Sequence, residues 1–507
     1  MPKNPVIAEV SRGRSISAEA GKRPEFVRKR QDSKMRKSKK QQKKQSDPGQ
    51  QEIFDRNGQA RPESVPGVPG MKRESVVELR SILTGQLAST EHLMEQIASE
   101  KNLGEAYKQV RSNAGSAGID GVEVEAFGQW LRQNLEGFRK SLLGETYKVS
   151  SVRKVEIPKP NGGVRTLGIP TVSDRVVQQA IHQALNIHYD PHFSGSSYGF
   201  RPRRRAHDAI ASAAQHIESG LEWVVDIDLE KFFDKINHER LMHRLSKGIG
   251  DKRLLRLINN FLKAGLMSEG LIEQRTAGTP QGGPLSPLLS NIVLDELDRE
   301  LEKRGHRFCR YADDCNIYVG SEAAGKRVMA SIIKFIERKL KLRVNPDKSG
   351  VRHCSQVKFL GYTVMGGGKI RVADKSTQRF KEKVRQTCRR NRGVKFEQVI
   401  NELNTVIRGW AEYFQKANCW LSDLRHTDGW IRRKLRCYQL KQCGGKYAIY
   451  KMLRKLGGEE NASWNAVMYS QGWWAMTLKP VVSKGMNIEW FECQGLRSIY
   501  TEMTRKR

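Results

Sequence analysis

Two short segments with paired aspartates constrain this chain more than any other feature. In FCRYADDCNIYV, apolar residues alternate on both sides of Asp313 and Asp314, which predicts a β-hairpin with two carboxylates at its tip. In WVVDIDLEKFF, a strand-like apolar run leads to Asp226 and Asp228 before a helical pattern begins. Neighbouring carboxylates repel one another, so a fold that brings these segments together needs a compensating positive charge.

Divalent metal ions would supply that charge. Mg²⁺ prefers oxygen ligands and keeps coordination positions for substrate phosphates. Two such ions about 3.5–4 Å apart can activate a primer 3′-hydroxyl and stabilise the leaving oxygen of an in-line displacement. We therefore predict that Asp228, Asp313 and Asp314 are catalytic residues and Mg²⁺ ligands, with Mn²⁺ as a substitute ion. An isolated Asp-Asp pair, by contrast, is more often a solvated turn.

The net charge of +35 is unevenly distributed over the 507 residues. Residues 1–50 carry a net +10 and residues 375–455 a net +15, whereas residues 51–374 carry only +9. The first segment has almost no aromatic residues, so we predict a disordered basic tail at 1–70, either merely solvated or an arm that binds nucleic acid. In the second segment, aromatic residues alternate with cations, which favours a helical domain with an apolar core and a phosphate-binding face.

Several blocks of the sequence follow one another in the order found in one enzyme family. They are VRKVEIPKPNGGVRTLGIPTVSDRVVQQAI (152–181), SSYGFRPRRRAHDAI (196–210), GTPQGGPLSPLLSNIVLDELD (278–298), RYADDCNIYV (310–319), KLRVNPDKS (341–349) and KFLGY (358–362). Together with the preceding Asp228, they resemble the conserved blocks of bacterial group II intron-encoded reverse transcriptases. The chain is most similar to the class C branch, whose members lack an HNH endonuclease domain, and no Cys- and His-rich HNH pattern follows residue 455.

The resemblance implies an α+β fold of the right-hand polymerase type. The implied regions are a disordered basic tail (1–70), reverse transcriptase fingers and palm with an N-terminal helical extension (75–365), a helical thumb or maturase domain X (366–455), and a C-terminal region (456–507). DNA binding by the last region rests on analogy alone.

The resemblance also assigns roles to individual residues. Asp228 is preferred to Asp226 as a metal ligand because it has the family's spacing to Phe233, the implied aromatic gate against a ribose 2′-hydroxyl. The implied nucleotide-binding residues are Lys159, Arg165, Phe233 and Gln281. The implied template and primer contacts are Tyr311, Arg201, Arg203, Arg204, Lys348 and Lys358.

The implied function is RNA-directed DNA synthesis together with splicing and mobility of a group II intron. The expected partners are intron RNA, template RNA, a DNA primer or target, and dNTPs. No apolar run could span a bilayer and no secretion signal is present, so we expect a bacterial cytoplasmic protein that associates with the nucleoid through RNA and DNA. The sequence leaves open whether the protein dimerises.

Two other functions are compatible with the sequence. One is a domesticated relative that works in DNA repair or phage defence. The other is a splicing-only maturase that binds RNA and no longer polymerises, but the intact aspartate triad argues against it because a protein that only binds RNA needs no metal ligands.

Overall fold

The computed structural model describes residues 90–158, 164–268, 271–273, 277–279, 282–419 and 421–505. The basic tail predicted at 1–70 and the first part of the predicted helical extension lie outside these residues. Within the described part of the chain, every helix is too short or too polar to cross a lipid bilayer.

Four helices build the first part of the core. They are α1 (Leu93–Ile97), α2 (Glu100–Ser112), α3 (Val124–Leu143) and α4 (Val172–Tyr189). The hydroxyl groups of Ser99 and Thr171 accept backbone N–H groups at the starts of α2 and α4, and so satisfy donors that a helix end leaves unpaired. The apolar faces of all four helices belong to one cluster that continues into the central sheet.

A small sheet has the strand order β2-β1-β4-β5. Its strands are β1 (Val152–Pro158), β2 (Val164–Ile169), β4 (Leu266–Ser268) and β5 (Leu271–Glu273). β1 and β2 form an antiparallel hairpin, from Arg153 opposite Ile169 to Pro158 opposite Val164. β1 also pairs in parallel with β4. This sheet corresponds to the fingers of a right-hand polymerase.

The central sheet, or palm, has the strand order β6-β7-β3-β8, and all its pairings are antiparallel. Its strands are β3 (Trp223–Ile227), β6 (Arg307–Tyr311), β7 (Asp314–Val319) and β8 (Gly350–His353). β6 and β7 form the hairpin predicted from the alternating pattern, with Tyr311 opposite Asp314 at its closed end. Because β7 also pairs with β3, the two aspartate-bearing segments are neighbours in one sheet.

Helices surround the palm sheet and join its strands. They are α5 (Ala206–Glu218), α6 (Phe232–Lys235), α7 (His238–Ser246), α8 (Lys252–Lys263), α9 (Ser286–Lys303) and α10 (Glu322–Phe335), the last continued by a π-helical turn (Ile336–Leu340). Most of α9 is buried, including the polar residues Asn291 and Asp298. A buried polar residue needs hydrogen-bond partners, and both of these find theirs beside the β6–β7 hairpin.

The chain then becomes almost wholly helical. After the short antiparallel strands β9 (Tyr362–Val364) and β10 (Ile370–Val372) come α11 (Asp374–Thr387), α12 (Phe396–Tyr413), α13 (Leu421–Gln442), α14 (Lys446–Lys455), α15 (Glu460–Met468), α16 (Gly472–Met476), α17 (Pro480–Gly485), α18 (Ile488–Cys493) and α19 (Ile499–Thr504). These helices share a single hydrophobic cluster that includes Leu435 and Phe491. Residues on both sides of the boundary predicted at 455 therefore pack in one core, and the boundary itself stays a prediction.

Aspartate 428 fastens the end of this helical region to its centre. Its carboxylate accepts the backbone N–H groups of Ile499 and Tyr500 and the hydroxyl group of Ser498, at 2.8, 3.1 and 2.6 Å. The side chain lies in α13 and is only 5% exposed. The overall architecture, with an antiparallel palm and a helical thumb, confirms the expected α+β fold.

Candidate active site

The register of the palm sheet brings the predicted carboxylates together. Ile227 pairs with Cys315, so Asp228, the next residue after β3, comes opposite Asp314 at the start of β7. Asp313 precedes Asp314 at the hairpin tip. Asp226 lies two residues before Asp228 and therefore projects from the same face of β3.

The pKa values show how closely these acids are crowded. Desolvation by the surrounding protein, followed by the charges of Asp313, Asp226 and Asp228, raises the pKa of Asp314 to about 7, although part of its side chain meets solvent. Desolvation also raises the pKa of Asp226 to about 6, and the charge of Asp228 adds to the effect. Adjacent carboxylates with raised pKa values resist full ionisation, and a bound cation would relieve their repulsion.

Basic side chains supply part of this missing charge. The Lys348 ammonium group lies 3.2 Å from both carboxylate oxygens of Asp228, and the Arg352 guanidinium group lies 3.1 Å from Asp226. In the part of the chain that the structure describes, no three His, Cys, Asp or Glu side chains are arranged as a ready metal site. The donor set is thus hard, anionic and suited to a divalent cation, but its oxygens do not form a closed coordination shell.

The predicted aromatic gate, Phe233, follows Asp228 by five residues and lies in the short helix α6. The Phe233 ring is partly buried and lies 5.3 Å from the ring of Phe232, measured between centroids. The carbonyl oxygen of Phe233 accepts the backbone N–H of Thr279 at 2.7 Å. Gly278 has φ +85°, and a Cβ atom there would lie 2.8 Å from the same carbonyl oxygen. Only glycine at position 278 therefore allows the chain at Gly278 and Thr279 to approach Phe233 this closely.

The arginine-rich loop is divided between buried and exposed residues. Arg201 is 5% exposed and donates hydrogen bonds to Asp190, Ser194 and Ser197. It has no surface left for a template or primer phosphate, so the prediction for Arg201 is wrong: the guanidinium group stabilises its own loop. Arg203 is exposed, and Arg204 is partly buried with its guanidinium carbon 5.3 Å from the ring centroid of Tyr198.

Two family models match consecutive parts of the chain. Residues 157–364 match the reverse transcriptase (RNA-dependent DNA polymerase) model, and residues 377–457 match the group II intron maturase-specific domain. Protein YkfC of Escherichia coli is 33% identical over 316 residues, which are 54% of this chain and 83% of YkfC. This chain belongs to the group II intron-encoded reverse transcriptases. The family consists of RNA-directed DNA polymerases, which generally depend on divalent metal ions.

Intron-encoded relatives match this reverse transcriptase over a similar length. Group II intron-encoded protein LtrA of Lactococcus lactis is 30% identical over 325 residues, which are 51% of this chain and 54% of LtrA. The chain therefore spans about half the length of LtrA. A chain in the solved partial Cas6-RT-Cas1–Cas2 complex is 24% identical, and the match covers 48% of this chain and 42% of that chain with a TM-score of 0.32.

The reverse transcriptase has a group of cations between its palm and its thumb. Lys358 is exposed, and partial desolvation together with the charges of Arg379 and Lys375 lowers its pKa, while Asp314 acts in the opposite direction. Lys358 thus lies within electrostatic range of both the hairpin tip and α11. Tyr311 is partly buried at the end of β6, in the apolar cluster that joins palm and thumb.

The side chains of three predicted nucleotide-binding residues lie outside the part of the chain that the structure describes. Lys159 and Gln281 lie outside the described residues. The backbone of Arg165 lies in β2 opposite Ile157, but its side chain is likewise outside the description. Their roles stay predictions.

Two arginines of this reverse transcriptase were not predicted from the sequence to have a role. Arg352 pairs with Asp226, as described above, and Arg310 is buried immediately before Tyr311 with its guanidinium group bound to Asp298. A charged residue inside the otherwise apolar strand RFCRY was the available signal for Arg310, because a buried charge requires a partner.

Proposed function

We propose that this protein copies RNA into DNA by nucleotidyl transfer at Asp228, Asp313 and Asp314, with Mg²⁺ as the metal ion and Mn²⁺ as a substitute. The observation that carries the proposal is the convergence of these carboxylates at the end of β3 and the tip of the β6–β7 hairpin. The crowding of these carboxylates contributes to the raised pKa of Asp314, and a bound divalent cation would relieve the repulsion between them.

The side chains divide the work of the reaction. The three aspartates would hold the metal ions, whose charge activates the primer 3′-hydroxyl and stabilises the leaving oxygen when they are bound. Lys348 would release Asp228 when the ions enter. Phe233 would lie against the sugar of the incoming dNTP and exclude a 2′-hydroxyl. Lys159, Arg165 and Gln281 would bind the same nucleotide.

Cations at the junction of palm and thumb would bind the primer–template duplex. Lys358, with Lys375 and Arg379 of α11, forms a positive group near Asp314, and Tyr311 lies at the adjacent strand end. Phosphates of the primer terminus would neutralise this group, because like charges held together favour an anion between them. Arg203 and Arg204 would contact the duplex from the loop before α5.

The helical thumb would bind structured intron RNA, and the C-terminal region would bind the DNA target. Part of the cationic face of α13 is engaged within the protein: Arg433 and Arg436 donate hydrogen bonds to Thr477 and to the carbonyl oxygen of Met486. The thumb and the C-terminal region are therefore joined by direct contacts of α13. Splicing and mobility of the intron are proposed on this basis and on the maturase-specific match.

Primer extension on an RNA template with Mg²⁺ and dNTPs tests the catalytic proposal. Asp313→Asn should reduce synthesis by about 10²- to 10³-fold, because the neutral amide oxygen is a weaker Mg²⁺ ligand than a carboxylate and no longer balances the charge of the ions. Asp423→Asn, an exposed aspartate in the first turn of α13, is the matched control and should retain full activity. Undiminished synthesis by Asp313→Asn would contradict the proposed catalytic role of Asp313.

The same variant separates polymerase from maturase function. Intron splicing in the presence of Asp313→Asn should continue, since RNA binding uses the thumb and not the carboxylates. A splicing-only maturase would instead show no synthesis even in the wild type. The repair or defence alternative predicts that no folded group II intron RNA flanks the gene.

A further inference from the structure

The tip of the catalytic hairpin has a backbone conformation that must be held in place. Ala312, between Tyr311 and Asp313, has φ +57°, in the left-handed region that residues with a side chain rarely adopt. Such conformations persist only where the surrounding structure determines them. The contacts around Ala312 therefore decide where the following two aspartates lie.

Arg310 provides the main contact from inside the protein. Its Nη1 group donates to the carbonyl oxygen of Ala312 at 2.9 Å and to Asn291 at 3.0 Å. Its Nη2 group donates to Ser197 at 2.8 Å and also to Asp298, and its Nε group donates to Asp298 at 2.6 Å. All five N–H groups of the guanidinium are thus used, and both Arg310 and Asp298 are 0% exposed.

The loop before α5 supports the tip from the other side. Its backbone forms a parallel bridge with β6, in which Arg310 donates to Ser196 at 2.9 Å and Tyr198 donates to Arg310 at 2.8 Å. Asn291 donates to the carbonyl oxygen of Gly199 at 2.9 Å. A Cβ atom on Gly199 would lie 2.3 Å from the backbone nitrogen of Ala312, so the loop and the tip are in direct backbone contact.

We propose that Arg310, Asn291 and Gly199 are positioning residues that fix Asp313 and Asp314 relative to Asp228. None of the three needs to touch a substrate: Arg310 and Asn291 are fully buried, and the buried Gly199 lies against the tip and accepts a hydrogen bond from Asn291. The inference rests on the proposed catalytic role of the aspartates. It adds that metal binding depends on a network whose members come from the loop, α9 and β6.

Gly199→Ala is the sharpest test, because one added methyl group would push against the backbone of Ala312 without removing any charge. Gly195→Ala in the same loop is the matched control, since nothing lies within 4 Å of a Cβ atom there. For Gly199→Ala we expect kcat of primer extension to fall by about tenfold or more, because small displacements of catalytic groups are costly. The Mg²⁺ concentration that gives the half-maximal rate should rise roughly several-fold, because displaced ligands bind the ion more weakly. The affinity for the RNA–DNA duplex should stay unchanged.

A readout without turnover completes the test. Binding of Mn²⁺ followed by electron paramagnetic resonance should be several-fold weaker for Gly199→Ala, roughly the effect of a disturbed supporting contact, and unchanged for Gly195→Ala. If Gly199→Ala does not fold, Asn291→Ala, which removes the link between Arg310 and Gly199, takes its place with the same expectations. Wild-type Mg²⁺ dependence and Mn²⁺ affinity in the folded variant would overturn the inference, whereas full activity of Asp313→Asn would overturn the catalytic proposal itself.

Discussion

The palm and the thumb use positive charge in opposite ways. In the palm, Arg310 is fully buried and all its donors are paired with fixed oxygen atoms. In the thumb, the ammonium group of Lys434 lies 4.7 Å from the ring centroid of Trp474, a residue of the C-terminal region that is 38% exposed. Directional hydrogen bonds in a dry interior fix atoms in place, whereas a cation on an aromatic face tolerates lateral movement. The first suits a catalytic site, and the second suits a surface that adapts to folded RNA.

The largest effect is expected when the palm charge is removed. Arg310→Met leaves Asp298 as a buried carboxylate without its partner, which should lower the free energy of unfolding by roughly 3–5 kcal/mol. Burial already raises the pKa of Asp298 against the opposing effect of Arg310, so the loss of Arg310 makes its ionised form still less favourable. Urea unfolding measures the change.

A second substitution separates stability from positioning in the same pair. Arg310→Met combined with Asp298→Leu removes both charges and should regain most of the lost stability, because an apolar pair of similar volume replaces a buried ion pair at little cost. Primer extension should nevertheless stay at least about tenfold below wild type, since the hydrogen bond to Ala312 is missing. Wild-type synthesis by the double variant would show that the ion pair serves folding alone.

A smaller effect is expected at the aromatic gate of the palm. This prediction tests whether a fixed side chain selects the sugar of the incoming nucleotide. Phe233→Ala should lower the ratio of kcat/KM for dNTPs over rNTPs by roughly tenfold, because the ring no longer occupies the space of a 2′-hydroxyl. Single-nucleotide incorporation measures the ratio. Phe232→Leu alters the neighbouring core residue, which is 2% exposed, and should change stability but not the ratio. An unchanged ratio in Phe233→Ala would contradict the gate.

The smallest effect is expected in the thumb. Arg433→Ala should weaken binding of intron RNA by about two- to fivefold, because one cation among the many of the thumb is lost. The slope of the logarithm of the binding constant against the logarithm of salt concentration should become shallower by up to about one unit. Arg307→Ala, an exposed arginine of β6, is the control. Equal slopes for both variants would mean that Arg433 serves only its contacts with Trp474 and Thr477.

The sequence predicts the parts of the site that are encoded locally. The alternation around Asp313 predicts the hairpin and the apolar run before Asp228 predicts the strand, and both are present; that they pair in one sheet is seen only in the structure. The charge run in the arginine-rich loop was less informative. Charge counting cannot distinguish Arg203, which is exposed, from Arg201, which is buried against Asp190.

Long-range partners escape any local pattern. The side-chain partners of Arg310 lie 113, 19 and 12 positions away, at Ser197, Asn291 and Asp298. Lys348 was predicted to contact nucleic acid, but in the structure it lies beside Asp228, 120 positions away. Such pairs depend on how a loop, a helix and a strand pack together, and the hydrophobic periodicity of a single segment does not predict this packing.

The anchoring of the last helix by Asp428 also has a consequence for the order in which the protein matures. The partners of this carboxylate lie 70 to 72 residues later in the chain. During synthesis, α13 therefore emerges before the groups that pair with Asp428, and these contacts can form only after the start of α19 has been made. The palm, whose strands are all complete by residue 353, can fold earlier. The palm is thus able to mature before the helical region that follows it.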